Sequence, residues 1–151
     1  MTSAQGVRLS FTVPGAPHGK GRPRFVCGRV VTPTETRQYE AKVARMAWAQ
    51  HQGPPLVGPL SVELDVVCAR PATRPASVTR EAWRAGERLP RIGKPDVDNV
   101  AKAILDGMVA GRVIEDDTHV TRLVVCRWYA AKNEAAHVAV YCDRITNQPV
   151  G

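Results

Sequence analysis

Two short acidic segments, close together in the chain, carry the residues best suited to chemistry. Asp96 and Asp98 follow Pro95, and a Glu-Asp-Asp run lies further along at 115–117. Proline disfavours a helical conformation at the residue before it, so we predict that a helix begins near Asp96, where a carboxylate is favoured. Two carboxylates at a helix start, joined by one from 115–117, would supply the hard oxygen ligands that Mg²⁺ and Mn²⁺ prefer. The spacing predicts a three-carboxylate site for a divalent cation.

A lysine lies beside this site on the same predicted helix. Asp98, Lys102 and Asp106 are spaced i, i+4 and i+8, which places them on one helical stripe. A cation held there would activate water and polarise a phosphoryl oxygen, and Lys102 would offset charge on the transition state. Taken singly, each piece also has an ordinary structural explanation: Asp96 as a helix cap, Asp98 and Lys102 as an exposed ion pair, and 115–117 as a solvated loop.

Charge is distributed unevenly along the chain. The 151 residues carry 21 Lys and Arg against 14 Asp and Glu, a net charge of +7. Basic residues concentrate in 17–37 and 70–94, and acidic residues in 96–117. Basic surfaces bind the nucleic-acid backbone and carboxylates bind divalent cations, so this arrangement favours a metal-dependent nuclease. A basic surface with an acidic, solvated helix is the alternative on charge alone.

The composition excludes several other classes of protein. Hydrophobic residues make up 44% and charged residues 23% of the chain, which are ordinary values for a globular domain and exclude disorder of the whole chain. The longest apolar run, 138–142, is far shorter than the ~20 residues of a membrane span. The start lacks the apolar segment of a secretory signal, and the four cysteines form no Cys-x-x-Cys pair. We expect a cytoplasmic, nucleoid-associated protein with reduced thiols, no membrane contact and no small-molecule cofactor.

The hydropathy pattern predicts a single α+β domain over 1–151, with two main helices packed on a mixed β-sheet. Alternating residues predict strands, which lie at 7–13, 60–66, 112–114, 119–128 and 136–142, with a hairpin at 24–31. The two helices are predicted over 34–50, with Thr34 as the cap, and 97–108. A basic, proline-rich excursion over 70–95 carries one short helix at 79–85. The last residues, 146–151, are predicted to form a flexible tail.

Seven residues are candidates for DNA contact: Lys20, Arg22, Arg24, Phe25, Arg80, Arg84 and Arg88. The first three lie in a loop rich in glycine and proline, from which side chains can reach phosphates. Phe25 would stack on an unpaired base, and a core position at a strand start is the alternative for it. The last three arginines are spaced i, i+4 and i+8, which on a helix would let them follow a phosphate backbone.

These motifs together resemble the RusA family of Holliday-junction resolvases. The family pattern is Asp-x-Asp-Asn, a lysine four residues after the second Asp, Leu-Asp-(Ala/Gly)-(Leu/Met), and a later Asp-Asp. The matching residues are Asp96, Asp98, Asn99, Lys102, Leu105, Asp106, Gly107, Met108, Asp116 and Asp117. The basic segment 19–25 is similar to the start of many phage members, and the resemblance extends over about residues 10–142.

The resemblance implies a homodimeric, Mg²⁺-dependent endonuclease, with Mn²⁺ as a substitute, that resolves four-way DNA junctions by paired symmetric nicks in recombination and repair. The essential carboxylates of the family correspond to Asp96, Asp98 and Asp117, and its essential lysine to Lys102. Asp116 is a further candidate ligand. Two other functions stay open: a non-cleaving protein that binds branched DNA, and a general Mg²⁺-dependent nuclease of flaps or duplex. The acidic residues favour cleavage, because a pure binder gains nothing from carboxylates among its phosphate contacts.

Overall fold

The computed structural model describes residues 8–21 and 24–145. Its elements in chain order are β1 (Arg8–Pro14), β2 (Arg24–Val26), β3 (Arg29–Val31), α1 (Thr34–Gln50), β4 (Leu60–Cys68), α2 (Arg80–Ala85), β5 (Leu89–Pro90), α3 (Val97–Ala110), a short 3₁₀ helix (Asp117–His119), β6 (Val120–Tyr129) and β7 (His137–Arg144). Five strands form one mixed sheet in the order β1-β7-β4-β6-β5, and β2 and β3 form a separate hairpin. Strands β4 and β6 are parallel, and the other neighbours are antiparallel.

The core lies between one face of this sheet and helices α1 and α3. Side chains alternate across a strand, so the apolar residues of β1, β4 and β7 line a single face, as Val13, Leu64 and Val140 do. Val43 of α1 and Ile104 of α3 are fully buried against that face. The sheet and α1 therefore support α3 along its apolar side and leave its acidic stripe toward solvent.

The predicted α+β fold, with two main helices on a mixed sheet, is confirmed. The hairpin turns at Cys27 and Gly28, which both have positive φ angles, 49° and 76°. Helix α2 begins where it was predicted, because the Thr79 side chain accepts a hydrogen bond from the Ala82 amide at 3.2 Å. Within the described ranges, no helix combines the length and apolar character needed to cross a membrane. All four cysteines are free, as predicted.

Several local predictions were wrong. Thr34 is the first residue of α1, and Pro33 takes the cap position without a side-chain hydrogen bond. Residues 112–114 form no strand, because Arg112 has a φ of 60°, and only an isolated bridge joins Ile114 to Leu56. Strand β5 was not predicted, since two residues carry no detectable alternation. Val7 and the predicted tail 146–151 lie outside the described residues.

A glycine allows α1 and α3 to approach closely. A Cβ atom at Gly107 would lie 2.5 Å from the Val43 Cβ and 3.0 Å from the Glu40 carbonyl oxygen. Alanine in place of a helical glycine ordinarily gains up to about 1 kcal/mol, whereas overpacking costs about 1–3 kcal/mol. Because the contact is far inside van der Waals distance, the steric cost exceeds the gain.

We therefore expect Gly107→Ala to lower the free energy of unfolding by about 1–2 kcal/mol, measured by urea denaturation. Val43→Gly is the matched background: it removes both side-chain atoms that the new methyl group meets, the Val43 Cβ at 2.5 Å and the Cγ1 at 2.6 Å, so the additional loss from Gly107→Ala should shrink there. Equal losses in both backgrounds would show that the contact with Val43 is not the source of the cost at Gly107.

Candidate active site

The start of α3 presents two carboxylates to solvent. Asp96 has the extended backbone of a cap residue, with φ −68° and ψ 152°, and its carbonyl accepts the first helical hydrogen bond, from the Val100 amide at 3.1 Å. Asp96 therefore holds the predicted N-cap position, but its carboxylate makes no capping hydrogen bond. Asp98 lies exposed in the first turn. Both carboxylates are positioned to face a substrate or an ion.

The backbone that leads into Asp96 is held by the sheet. The Arg127 side chain of β6 donates hydrogen bonds from Nη1 to the carbonyl oxygens of Gly93 and Pro95. The Arg91 amide also donates to the Arg127 carbonyl at 3.3 Å. Strand β6 therefore fixes the end of the basic excursion and the start of α3 relative to the sheet.

Lys102 connects the two acidic segments. Its Nζ lies 3.1 Å from Asp117 Oδ2, at the start of the 3₁₀ helix, and 3.5 Å from Asp106 Oδ1, one turn further along α3. The hydrogen bond to Asp117, together with the charge of Asp106, raises the pKa of Lys102 above its ordinary value. The lysine is therefore a cation at neutral pH, and the loop 115–117 lies beside the α3 stripe.

Asp116 has a structural role in the same loop. Its Oδ1 accepts a hydrogen bond from the Thr118 amide at 2.9 Å and so caps the 3₁₀ helix. This bond lowers the pKa of Asp116. The cap orients the loop so that Asp117, the next residue, reaches Lys102. Glu115 is exposed, and its amide donates to the Leu56 carbonyl at 3.1 Å.

The donor chemistry of this site fits a hard divalent cation, because Asp96, Asp98 and Asp117 offer carboxylate oxygens only. Over residues 8–21 and 24–145, no three Asp, Glu, His or Cys side chains lie close enough together to hold a metal ion. In this arrangement the Asp117 carboxylate binds Lys102 instead. The three residues fit Mg²⁺ by chemical type, and the magnesium site stays a prediction.

A pocket of about 440 Å³ opens beside Asp96. Its walls come from the loop after β1 and from the start of α3, and they consist of Pro17, His18, Gly19, Lys20, Lys94, Pro95, Asp96 and Asn99. The Lys20 amide donates to the Asn99 carbonyl at 3.1 Å, and a Cβ at Gly19 would lie 2.7 Å from Pro95. The loop therefore lies directly on the segment that carries Asp96, and two lysines line the pocket.

Lys20, one of the predicted DNA-contact residues, forms ion pairs with two carboxylates. The Lys20 Nζ lies 3.0 Å from Glu40 Oε2 and also donates to Asp106 Oδ2. Burial alone would lower the pKa of Lys20, but its bonds to Asp106 and Glu40 outweigh that effect and raise the pKa. DNA contact by Lys20 stays a prediction, since two carboxylates already neutralise it. Arg22 and the Arg24 side chain lie outside the described part of the chain.

Phe25 is fully available for contact. Its side chain is 77% exposed, and Val30, opposite it in the β2–β3 hairpin, is 71% exposed. The alternative that Phe25 is a core residue is wrong. A two-stranded hairpin has no third strand to cover it and is marginal in water by itself, so this apolar pair suits a partner surface. Stacking on a base stays a prediction.

Of the three arginines predicted to share one helical stripe, the structure places two on a helix. Arg80 and Arg84 are exposed on α2, but the helix ends at Ala85. Arg88 therefore does not continue the helical spacing, and its guanidinium bonds the Glu134 carboxylate, with Nη2 at 2.5 Å and Nε at 3.0 Å. DNA contact by these three arginines is untested. The Trp83 ring of α2 packs against the Arg70 guanidinium, whose Cζ lies 4.1 Å from the ring centre.

The Arg88–Glu134 pair predicts a pH dependence of stability. The hydrogen bonds from Arg88 lower the pKa of Glu134 from 4.5 to about 2. A depressed carboxyl pKa stabilises the folded state above the unfolded value and loses that contribution as pH falls toward the folded value. The pair is partly exposed, which limits its contribution to about 1 kcal/mol.

We therefore expect the wild-type chain to lose about 1 kcal/mol more unfolding free energy than Glu134→Gln when pH falls from about 5 to about 2.5. Urea denaturation at both pH values measures the difference. Glu81→Gln, on exposed α2, is the matched control and should follow the wild type. Parallel pH curves for wild type and Glu134→Gln would contradict the assignment.

Sequence reasoning missed the supporting residues of the site. Arg127 lies in an ordinary strand pattern, and Glu40 lies on the helix predicted over 34–50, where none of the motifs above includes it. Asp106 was placed on the correct stripe, but its partner Lys20 is 86 residues away. No local spacing links residues that far apart. The one available signal was that Lys20 lies in the basic segment 19–25, which is similar to the start of many phage members of the family.

Comparison with known proteins identifies the family of the chain. The family model described as endodeoxyribonuclease RusA matches residues 14–141, which include both acidic segments, Lys102 and the loop that carries Lys20. The chain belongs to the RusA family of endodeoxyribonucleases. It is also 32% identical over 129 residues to the uncharacterized protein YqaN of Bacillus subtilis (strain 168), a match that covers 81% of this chain and 88% of that protein.

Proposed function

We propose that this chain is a Mg²⁺-dependent, structure-selective endodeoxyribonuclease that resolves four-way DNA junctions by paired symmetric nicks. One observation carries the proposal: Lys102 contacts Asp117 from the α3 stripe that begins with Asp98, two residues after Asp96, in a member of an endodeoxyribonuclease family. Two basic segments, 17–37 and 70–94, precede the acidic segment 96–117 in sequence, and such basic segments suit a substrate that is a polyanion. The biological setting would be recombination and repair of DNA in the cytoplasm.

Each site residue has a distinct role in this proposal. Asp96, Asp98 and Asp117 would hold Mg²⁺, or Mn²⁺ as a substitute, with Asp116 as a further candidate ligand. When bound, the cation would supply Lewis-acid activation of water and of the phosphoryl group. Lys102 carries a full positive charge next to these carboxylates and would stabilise the negative charge that develops at phosphorus.

DNA binding would involve basic and aromatic side chains on several elements. Lys94 lines the pocket beside Asp96, and Arg80 and Arg84 are exposed on α2. The exposed Phe25 would stack on a base that is unpaired at the branch point, a contact worth about 1–3 kcal/mol. A homodimer would place two sites on one junction, which is the simplest route to paired nicks.

A panel of DNA substrates tests the proposal. Labelled four-way junction, 5′ flap, nicked duplex and linear duplex are incubated with the protein and Mg²⁺, and the cut positions are mapped on every strand. We expect two nicks at symmetric positions in the junction and little cutting of the other DNAs. Equal cutting of flap or duplex would identify a general nuclease instead. Tight junction binding without cleavage in Mg²⁺ or Mn²⁺ would identify a binding protein.

A further inference from the structure

Asp106 is the middle one of five charged side chains that contact one another in a row and alternate in sign. Going from α1 to the 3₁₀ helix, the order is Glu40, Lys20, Asp106, Lys102 and Asp117. The two carboxylate oxygens of Asp106 serve different partners: Oδ2 accepts from the Lys20 Nζ, and Oδ1 lies 3.5 Å from the Lys102 Nζ. One side chain therefore links the loop after β1 to the cation of the candidate active site.

The surroundings of Asp106 make these contacts stronger than ordinary surface ion pairs. Its side chain is 23% exposed and that of Lys20 is 25% exposed, so water screens the pair only in part. Lys102 is more open, with 52% of its side chain exposed. A lysine has a long side chain with about 2 kcal/mol of rotamer entropy, so an exposed lysine needs fixed partners to keep one position.

The two lysines that contact Asp106 both lie next to residues proposed to take part in cleavage. Lys102 faces Asp117. Lys20 belongs to the loop whose amide bonds Asn99 at 3.1 Å and which forms a wall of the pocket beside Asp96. Loss of the Asp106 charge would leave the Lys102 ammonium with Asp117 and the Lys20 ammonium with Glu40 as their remaining ion-pair partners.

We propose that Asp106 is a positioning residue for the cleavage reaction. It holds Lys102 in place beside Asp117, and through Lys20 it holds the loop 17–21 against the start of α3, so that a DNA strand in the pocket is aligned with Asp96. It touches neither DNA nor the reacting atoms. The inference rests on the proposed nuclease function.

The kinetic test compares Asp106→Asn with wild type on a four-way junction in Mg²⁺. A displacement of about 1 Å in a catalytic group can cost about 10²-fold in rate, so we expect kcat to fall about 10–100-fold while KM changes less than about threefold. Asp106→Glu keeps the charge and should recover part of the loss. Glu63→Gln, which removes the 2.9 Å ion pair with Arg122 between β4 and β6, is the matched control and should keep wild-type kcat.

A second readout needs neither metal nor DNA. Hydrogen exchange of the Lys20 amide, which bonds Asn99, should become about fivefold faster in Asp106→Asn, the loss expected for one ion pair. Lys102→Met leaves the Lys20–Asp106 pair intact and should leave this exchange rate unchanged. A purely stabilising role would instead accelerate exchange throughout α3.

The outcomes separate this inference from the proposed function. If the wild type cuts junctions and Asp106→Asn cuts them with the same kcat, the inference alone is overturned. Absence of cleavage by the wild type would overturn the proposed function and, with it, the inference. If circular dichroism shows that Asp106→Asn does not fold, Asp106→Glu is tested instead, because its longer side chain displaces the charge by one methylene. A wild-type kcat in Asp106→Glu would also contradict the positioning role.

Discussion

Asp98→Asn is expected to abolish junction cleavage while preserving or strengthening junction binding. Asp98 lies exposed in the first turn of α3, one turn before Lys102, where a carboxylate would hold the cation. Loss of several kcal/mol of charge stabilisation corresponds to a fall of at least about 10³-fold in rate. Binding should not fall, because the substitution removes a negative charge that faces phosphates and leaves the basic residues intact.

Two assays check this expectation. Single-turnover cleavage of a labelled four-way junction in Mg²⁺ gives the rate, and gel-shift titration in EDTA gives the affinity. Glu63→Gln removes one negative charge from an exposed position in β4 and serves as the control, with cleavage at the wild-type rate. Cleavage by Asp98→Asn at the wild-type rate would remove Asp98 from the site.

Lys102→Met should produce the second-largest effect. The lysine is the cation closest to Asp117, with 3.1 Å between Nζ and Oδ2, and removal of one preorganised charge of this kind costs about 10²–10³-fold in kcat. Lys102→Arg should recover only part of that loss, since a planar guanidinium does not reproduce the point charge of an ammonium. Affinity should change little, because Lys102 is one of many cations that would face the phosphates.

Steady-state kinetics on the junction separate the two effects. We expect lower kcat at nearly constant KM for Lys102→Met. Lys132→Met removes an exposed lysine in the turn before β7 and is the charge-matched control, with wild-type kcat. If both variants lose activity equally, the effect is one of net charge, and Lys102 has no specific role at the site.

The elements that position the site were predictable because their signals are local. Pro95 and the apolar pattern after it predict the start of α3, and the structure begins that helix at Val97. Thr79 and Gly86 bound α2 as their cap preferences suggest. The lysine at i+4 from Asp98 was placed on the correct face by helical geometry alone.

The remaining features depend on contacts between distant residues. Arg88 continued a helical spacing in the sequence, yet the helix ends before it, and Glu134 binds it across 46 residues. Lys20 stays a candidate for DNA contact, and its ion pairs with Glu40 and Asp106 in the fold were not predicted. Neither outcome follows from residue type or spacing, because each depends on how α1, α3 and the excursion pack against the sheet.

The central claim is that the carboxylates at the start of α3 and in the loop 115–117 bind a divalent cation that is required for cutting a DNA junction. The most direct measurement is the rate of cleavage of a mobile four-way junction by the wild type as Mg²⁺ is added to protein stripped with EDTA, beside Asp98→Asn under the same conditions. The account predicts no cleavage without metal, paired nicks that increase with Mg²⁺ to saturation, and none from Asp98→Asn at any concentration. Cleavage that persists in EDTA, or Mg²⁺-dependent cleavage by Asp98→Asn equal to wild type, would contradict it.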